Sequence, residues 1–82
     1  MMFYIYVLKN LTDSSYYVGM SKDINKRLKE HNRGKSKYTK SRLPWKIIYS
    51  EGPYETKKAR KLEKYYKSTA GKIKLKKLGI ID

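Results

Sequence analysis

Residues 3–8, Phe-Tyr-Ile-Tyr-Val-Leu, form the most apolar stretch of the chain and contain no alternating polar position. Aromatic and β-branched side chains in such a run suit a strand covered on both faces. Residues 10–15 are a cluster of turn formers, and residues 16–20 resume an apolar pattern. The first twenty residues are therefore predicted to fold back as a β-hairpin. The period then changes. Ser21 suits an N-cap, with Asp23 in the first turn, for a helix to about Asn32 that Gly34 ends. Residues 35–44 read as a basic, turn-prone loop, and residues 45–50 as a third strand carrying Trp45, Ile47, Ile48 and Tyr49. Gly52-Pro53 is expected to break that strand. Thr56 is expected to cap a second helix running to about Thr69, with Ala59, Leu62, Tyr66 and Ala70 as its inner stripe. Gly71 then interrupts, and a short third helix is expected around residues 73–78. The predicted order is ββαβα(α), an α+β domain with a small three-stranded, largely antiparallel sheet flanked by helices.

The register of the hairpin decides what it presents. With cross-strand position sums of 23 or 25, Tyr6 and Tyr17 project from one face, directly opposite in the first case and diagonal in the second. A sum of 25 sets Gly19 against Tyr6 and leaves space above that ring. An even sum sends the two tyrosines to opposite faces.

With 82 residues and no cysteine, the chain reads as a single domain spanning 1–82. It stands on packing alone, near the lower size limit for one hydrophobic core. The lack of cysteine is compatible with a reducing compartment, and the cytoplasm is the expected location. Residues 1–8 lack the flanks of a secretion signal and are too short to cross a bilayer, so no membrane association is expected.

Charge narrows the partner. There are 21 Lys and Arg against 7 Asp and Glu, a net charge of +14. The excess is localised: residues 22–46 hold ten basic and two acidic residues, residues 57–77 ten basic and one acidic, and the first twenty-one only Lys9 against Asp13. Such a field on so small a surface points to a polyanion, with nucleic acid first. An anionic membrane surface is the competitor, but the basic stretches lack the broad apolar face of a surface helix. Lys22, Lys26, Lys35, Lys37, Tyr38, Lys40 and Arg42 are the candidate nucleic-acid contacts. The loop among them has lysines for backbone phosphates and one ring for a splayed base.

Several polar groups fall where a core is expected. Tyr6 lies inside the apolar run. Arg27 and His31 form an i, i+4 pair, both within about 60° of Ile24 on a helical wheel. Glu63 is the one acidic residue between Thr56 and Ile81, and it lies about 40° from Ala59, beside the inner stripe. Each has a structural reading: an ion pair of Glu63 with Arg60 or Lys67, snorkelling by Arg27 and His31, and core packing by Tyr6 and Tyr17. Together they also match the needs of phosphodiester hydrolysis, which requires a nucleophile, a base, positive charge on the developing phosphorane and help for the leaving oxygen.

Tyr4-Ile5-Tyr6 and Tyr17-Val18-Gly19, followed by Arg27, His31 and Glu63 in that order, resemble the GIY-YIG nuclease domain over about residues 2–70. The similarity is greatest to the small standalone bacterial members, and residues 71–82 would form a short helix or tail. Tyr4 stands where the family has glycine. Met20 stands where some relatives carry a lysine, leaving Lys22 or a loop lysine to supply that charge. The resemblance implies a metal-dependent endonuclease. Tyr6, Tyr17, Arg27, His31 and Glu63 would form its catalytic site, with Glu63 as ligand to one Mg²⁺ or Mn²⁺. Tyr17 would be the general base, activated by Arg27 and the ion because a free tyrosine titrates at about pH 10. Tyr6 would support it, Arg27 would clamp the phosphate, and His31 would bond a phosphate oxygen or the attacking water. Two other readings stand beside it: a non-catalytic basic clamp, and an accessory of a larger repair or ribonucleoprotein complex.

Overall fold

A computed structural model describes residues 1–34 and 44–82, and the expectations for Lys35, Lys37, Tyr38, Lys40 and Arg42 lie outside them. The chain runs β1 (Met2–Asn10), β2 (Tyr16–Ser21), α1 (Ile24–Asn32), β3 (Trp45–Glu55), α2 (Thr56–Lys67) and α3 (Thr69–Lys77). The strands form one antiparallel sheet in the order β2-β1-β3. The apolar run is thus the central strand, with a packed layer on each face. Ile5 and Val7 face α2 and α3, joining Val18, Ala59, Tyr66 and Leu75. Tyr6 and Leu8 face the other way, joining Trp45 and the Ile24 and Leu28 side chains of α1. Strict alternation along one strand feeds two cores.

In the hairpin, Tyr6 pairs with Gly19 and Leu8 with Tyr17, a position sum of 25. Tyr6 and Tyr17 are therefore diagonal neighbours on one face, with ring centroids 6.5 Å apart. The space expected above Gly19 is filled by these rings. A Cβ there would lie 2.5 Å from the Tyr6 hydroxyl oxygen and 3.1 Å from the Tyr17 ring. Gly19→Ala is expected to cost about 1–3 kcal/mol through this overpacking, read as a melting temperature lowered by at least about 5 °C.

Four boundaries differ from expectation. The α1 cap is Asp23, whose carboxylate accepts from the Lys26 N–H at 3.1 Å, while Ser21 closes β2 and its hydroxyl donates to the Asp23 carbonyl. Thr56 does not cap α2; its hydroxyl donates to the Met1 carbonyl at 3.2 Å. Strand β3 runs through Gly52-Pro53, which has a cis peptide bond. A register shift between Phe3 and Ile5 absorbs the extra residue, and an edge strand tolerates the missing proline N–H. Helix α2 stops at Lys67, and Ser68 caps α3, its hydroxyl accepting from the Gly71 N–H. Ala70 is consequently exposed rather than part of the inner stripe. Gly71 lies inside α3, where a Cβ would collide with the backbone of Tyr65 and Tyr66; the close approach of two helix ends needs the glycine.

Polar side chains lock the parts together. The Asn32 amide bridges α1 to β3, donating to the Trp45 carbonyl at 3.1 Å and accepting from the Trp45 N–H at 2.7 Å. On the opposite face, Tyr54 donates to Glu51 at 2.6 Å. Burial first, and then the same carboxylate, raise the pKa of Tyr66, and both also act on Tyr49.

Candidate active site

The apolar pattern places Tyr6 in the central strand, and its hydroxyl reaches the far side of the layer beneath α1. There it lies 3.0 Å from His31 Nε2. Tyr6 is 1 % exposed and His31 fully buried. Arg27, one turn before His31 on α1, lies near enough to the Tyr6 hydroxyl to favour its ionised form. The Tyr6 hydroxyl and His31 Nε2 share one hydrogen bond, whose direction follows the imidazole tautomer, and the Arg27 cation acts on the same oxygen. The i, i+4 spacing that marked Arg27 and His31 in the sequence thus brings both to one phenol.

Tyr17 stands beside this group. Its ring centroid lies 5.0 Å from His31 and 6.4 Å from Trp45. Glu63 approaches from α2 across the edge of β2. Its carboxylate is 3.5 Å from Lys67 Nζ, and that ammonium also lies 5.5 Å from the Tyr17 ring centroid. Of the ion pairs weighed in the sequence for Glu63, the one to Lys67 is present. The Tyr6 hydroxyl nevertheless feels Glu63, together with Tyr17 and Arg27. Arg27 and Tyr17 line different cavities, Tyr6 is buried and Glu63 is the weakest influence on its hydroxyl, so Tyr17, Arg27 and Glu63 surround one buried phenol without all opening into one pocket.

His31 is placed differently from the expectation that it bonds phosphate or water. It is sealed under Tyr6 with no exposed surface. Arg27 keeps a third of its side chain open and leans on Glu30 at 3.3 Å. It lines a cavity of about 340 Å³ with Lys22 and Lys26, two of the residues picked out for nucleic-acid contact.

The environment separates the protonation states. Burial first, and then Tyr17, push the Tyr6 pKa up to about 12, with Arg27 opposing. Burial, and then the Arg27 charge, pull His31 down to about 4, with Glu30 opposing. For Arg27, burial acts against the charge, but Tyr6, and then Glu30 and Tyr17, outweigh it and raise the pKa. At neutral pH, Tyr6 is a phenol, His31 a neutral imidazole and Arg27 a cation.

A stability test follows. An unfolded histidine titrates near 6.5 and the folded one at about 4, so the unfolded chain takes up this proton first. The contribution of His31 is fully present above about pH 6.5 and is lost as pH falls from there through about 4. Urea unfolding from pH 7 to 4 should show this decline, and His31→Gln should remove that part of it. An unchanged slope in the variant would contradict the buried neutral imidazole.

Among the described residues no three or more His, Cys, Asp or Glu cluster as a metal cage. Glu63 offers one hard carboxylate donor, now paired with Lys67. This fits Mg²⁺ or Mn²⁺, which commonly take one or two protein carboxylates and fill their shell with water and phosphate. Reading the sequence missed Lys67 as a neighbour of Tyr17 and Glu30 as a tether for Arg27. The i+4 and i+3 spacings were the available signals, but they describe pairs and say nothing of a ring brought over from another strand.

A small α+β domain with paired tyrosine blocks on a hairpin, an arginine on the first helix and a glutamate on the second defines a recognised class of catalytic domain. The chain belongs to the GIY-YIG family: the family model described as the GIY-YIG catalytic domain matches residues 2–77. It is similar to a UPF0213 protein of Streptococcus pneumoniae, 45 % identical over 65 residues, covering 78 % of this chain and 65 % of that one. It thus spans just under two thirds of that relative. A UPF0213 protein of Streptococcus agalactiae is 40 % identical over 73 residues, covering 88 % and 82 %. The solution NMR structure of a UPF0213 protein from Bacillus halodurans has a TM-score of 0.56 and 32 % identity, covering 95 % of this chain and 85 % of that one. Among the described residues no helix is long and apolar enough to cross a membrane.

Proposed function

We propose that the domain is a divalent-metal-dependent nuclease that hydrolyses phosphodiester bonds in nucleic acid, DNA in the first place. One observation carries this reading: the Tyr6 hydroxyl, at 1 % exposure, is bonded to His31 with the Tyr17 ring beside it, and it lies in the field of Arg27 and Glu63. A core with no reaction to run gains nothing from so many polar groups at one point.

In the proposed mechanism the scissile phosphate meets Arg27, whose forked donors bind two of its oxygens and stabilise the charge that develops on them. Tyr17, half-buried at the sheet edge, accepts the proton of the attacking water as a phenolate, its own proton having first gone to solvent. Tyr6 keeps its proton and fills the space beside Gly19. His31 is a positioning residue that orients Tyr6 from beneath. Glu63 would hold one Mg²⁺ or Mn²⁺; such an ion, when bound, neutralises phosphate charge and stabilises the leaving oxygen. Lys22 and Lys26 would carry the flanking backbone, contributing affinity without reading sequence.

The test is a cleavage screen over duplex, single-stranded and branched DNA and RNA, with Mg²⁺, Mn²⁺ or EDTA. Cleavage of at least one substrate, abolished by EDTA, is expected. The Glu63–Lys67 ion pair favours one rival, a basic clamp without catalysis, because it gives Glu63 a structural role. That rival predicts salt-sensitive binding of all substrates and cleavage of none.

A further inference from the structure

Tyr17 has a second set of neighbours. On the α3 side of β2 lies a cleft of about 590 Å³, within the ~300–1,000 Å³ range of small-molecule sites. Its floor is apolar, including Val18 and Leu75. Tyr16 and Tyr17 line it from β2 and Ile73 from α3. Lys67, Lys72 and Lys76 also line it, against the single carboxylate side chain of Asp82. Ile73 is 49 % exposed, an apolar residue left open at this wall. The cleft therefore joins an apolar floor and the Tyr16 side chain to a positively charged border, and Tyr17, whose ring packs with Tyr6 and His31, meets it at the edge of β2 beside Lys67.

We propose that this cleft receives one unstacked nucleobase adjacent to the scissile phosphate, with the lysines holding its flanking phosphates. The proposal rests on the nuclease reading and names its substrate class: nucleic acid with an unpaired nucleotide at the cleavage point. Charge complementarity selects the occupant, since an apolar ligand without phosphate would leave Lys72 and Lys76 without an anion, Lys67 already pairing with Glu63. A base stacked inside a continuous duplex cannot present its faces to such a cleft, whereas an extrahelical or single-stranded one can. Tyrosine rings beside lysines are the usual means of gripping bases without regard to sequence.

The experiment compares a DNA duplex carrying one extrahelical 2-aminopurine with the matching continuous duplex, in EDTA so that nothing is cut. The bulged duplex is expected to bind the wild-type protein roughly tenfold tighter, the scale of one stacked base, with a change in 2-aminopurine emission on binding. Ile73→Trp and, independently, Thr69→Trp narrow the cleft and should bring that affinity ratio to about one. Thermal melting identifies a variant that fails to fold, and the other then decides. Equal affinities in the wild type, or a full preference in the folded variants, would overturn the proposal. The nuclease reading fails separately. Cleavage without a bulge preference removes only the cleft, and a bulge preference without cleavage of any substrate removes only the reaction.

Discussion

Replacing Arg27 with alanine is expected to slow single-turnover cleavage by roughly a hundred- to a thousandfold, the usual cost of deleting one preorganised donor to a developing oxyanion. The side chain lines an open cavity with Lys22 and Lys26, and its charge also acts on the buried Tyr6 hydroxyl. A third of its side chain is exposed, and its one ion pair among the described residues is the similarly exposed one to Glu30, so the fold should survive. Arg27→Lys should recover little, because an ammonium on a flexible stem cannot reproduce a planar two-point grip. Cleavage by Arg27→Ala within tenfold of wild type would remove the arginine from the reaction.

Glu63→Gln should lower cleavage by at least about a hundredfold, since the amide keeps the shape but loses the charge that a hard divalent ion requires. Binding of Mn²⁺, followed by electron paramagnetic resonance, should weaken in step. Affinity for DNA in EDTA should hold or rise slightly, because the change removes a negative charge and releases Lys67 from its 3.5 Å pair. Undiminished metal binding in this variant would leave Glu63 as no more than a partner for that lysine.

These expectations depend on features of unequal legibility. The unbroken apolar run at residues 3–8 admits little but a doubly covered strand, and the turn cluster after it fixes a hairpin. The spacing of Tyr6, Tyr17 and Gly19 leaves few registers that keep both tyrosines on one face, and the observed sum of 25 is among them. Polar residues on an apolar helix face likewise flag Arg27 and His31. Periodicity does not tell whether such a group meets solvent or another buried group. His31 does the latter, because α1 packs its Ile24 and Leu28 side chains onto this face of the sheet and closes the imidazole against Tyr6.

Other features depend on tertiary position. Gly52-Pro53 ends a central strand but is tolerated on an edge strand beside a register shift, and edge position is invisible in a short segment. The break at Ser68 comes from a local cap competing with helical continuation. Lys67 reads as a surface ion-pair partner until the fold brings Tyr17 beneath it.

The most direct test of one shared reaction centre is a double-mutant cycle on single-turnover cleavage with Arg27→Ala, Glu63→Gln and the pair together. Groups acting on the same phosphate are strongly non-additive, so the double variant should be scarcely slower than the slower single one. Rate losses that multiply in full would place the arginine and the glutamate in separate roles and contradict the shared centre.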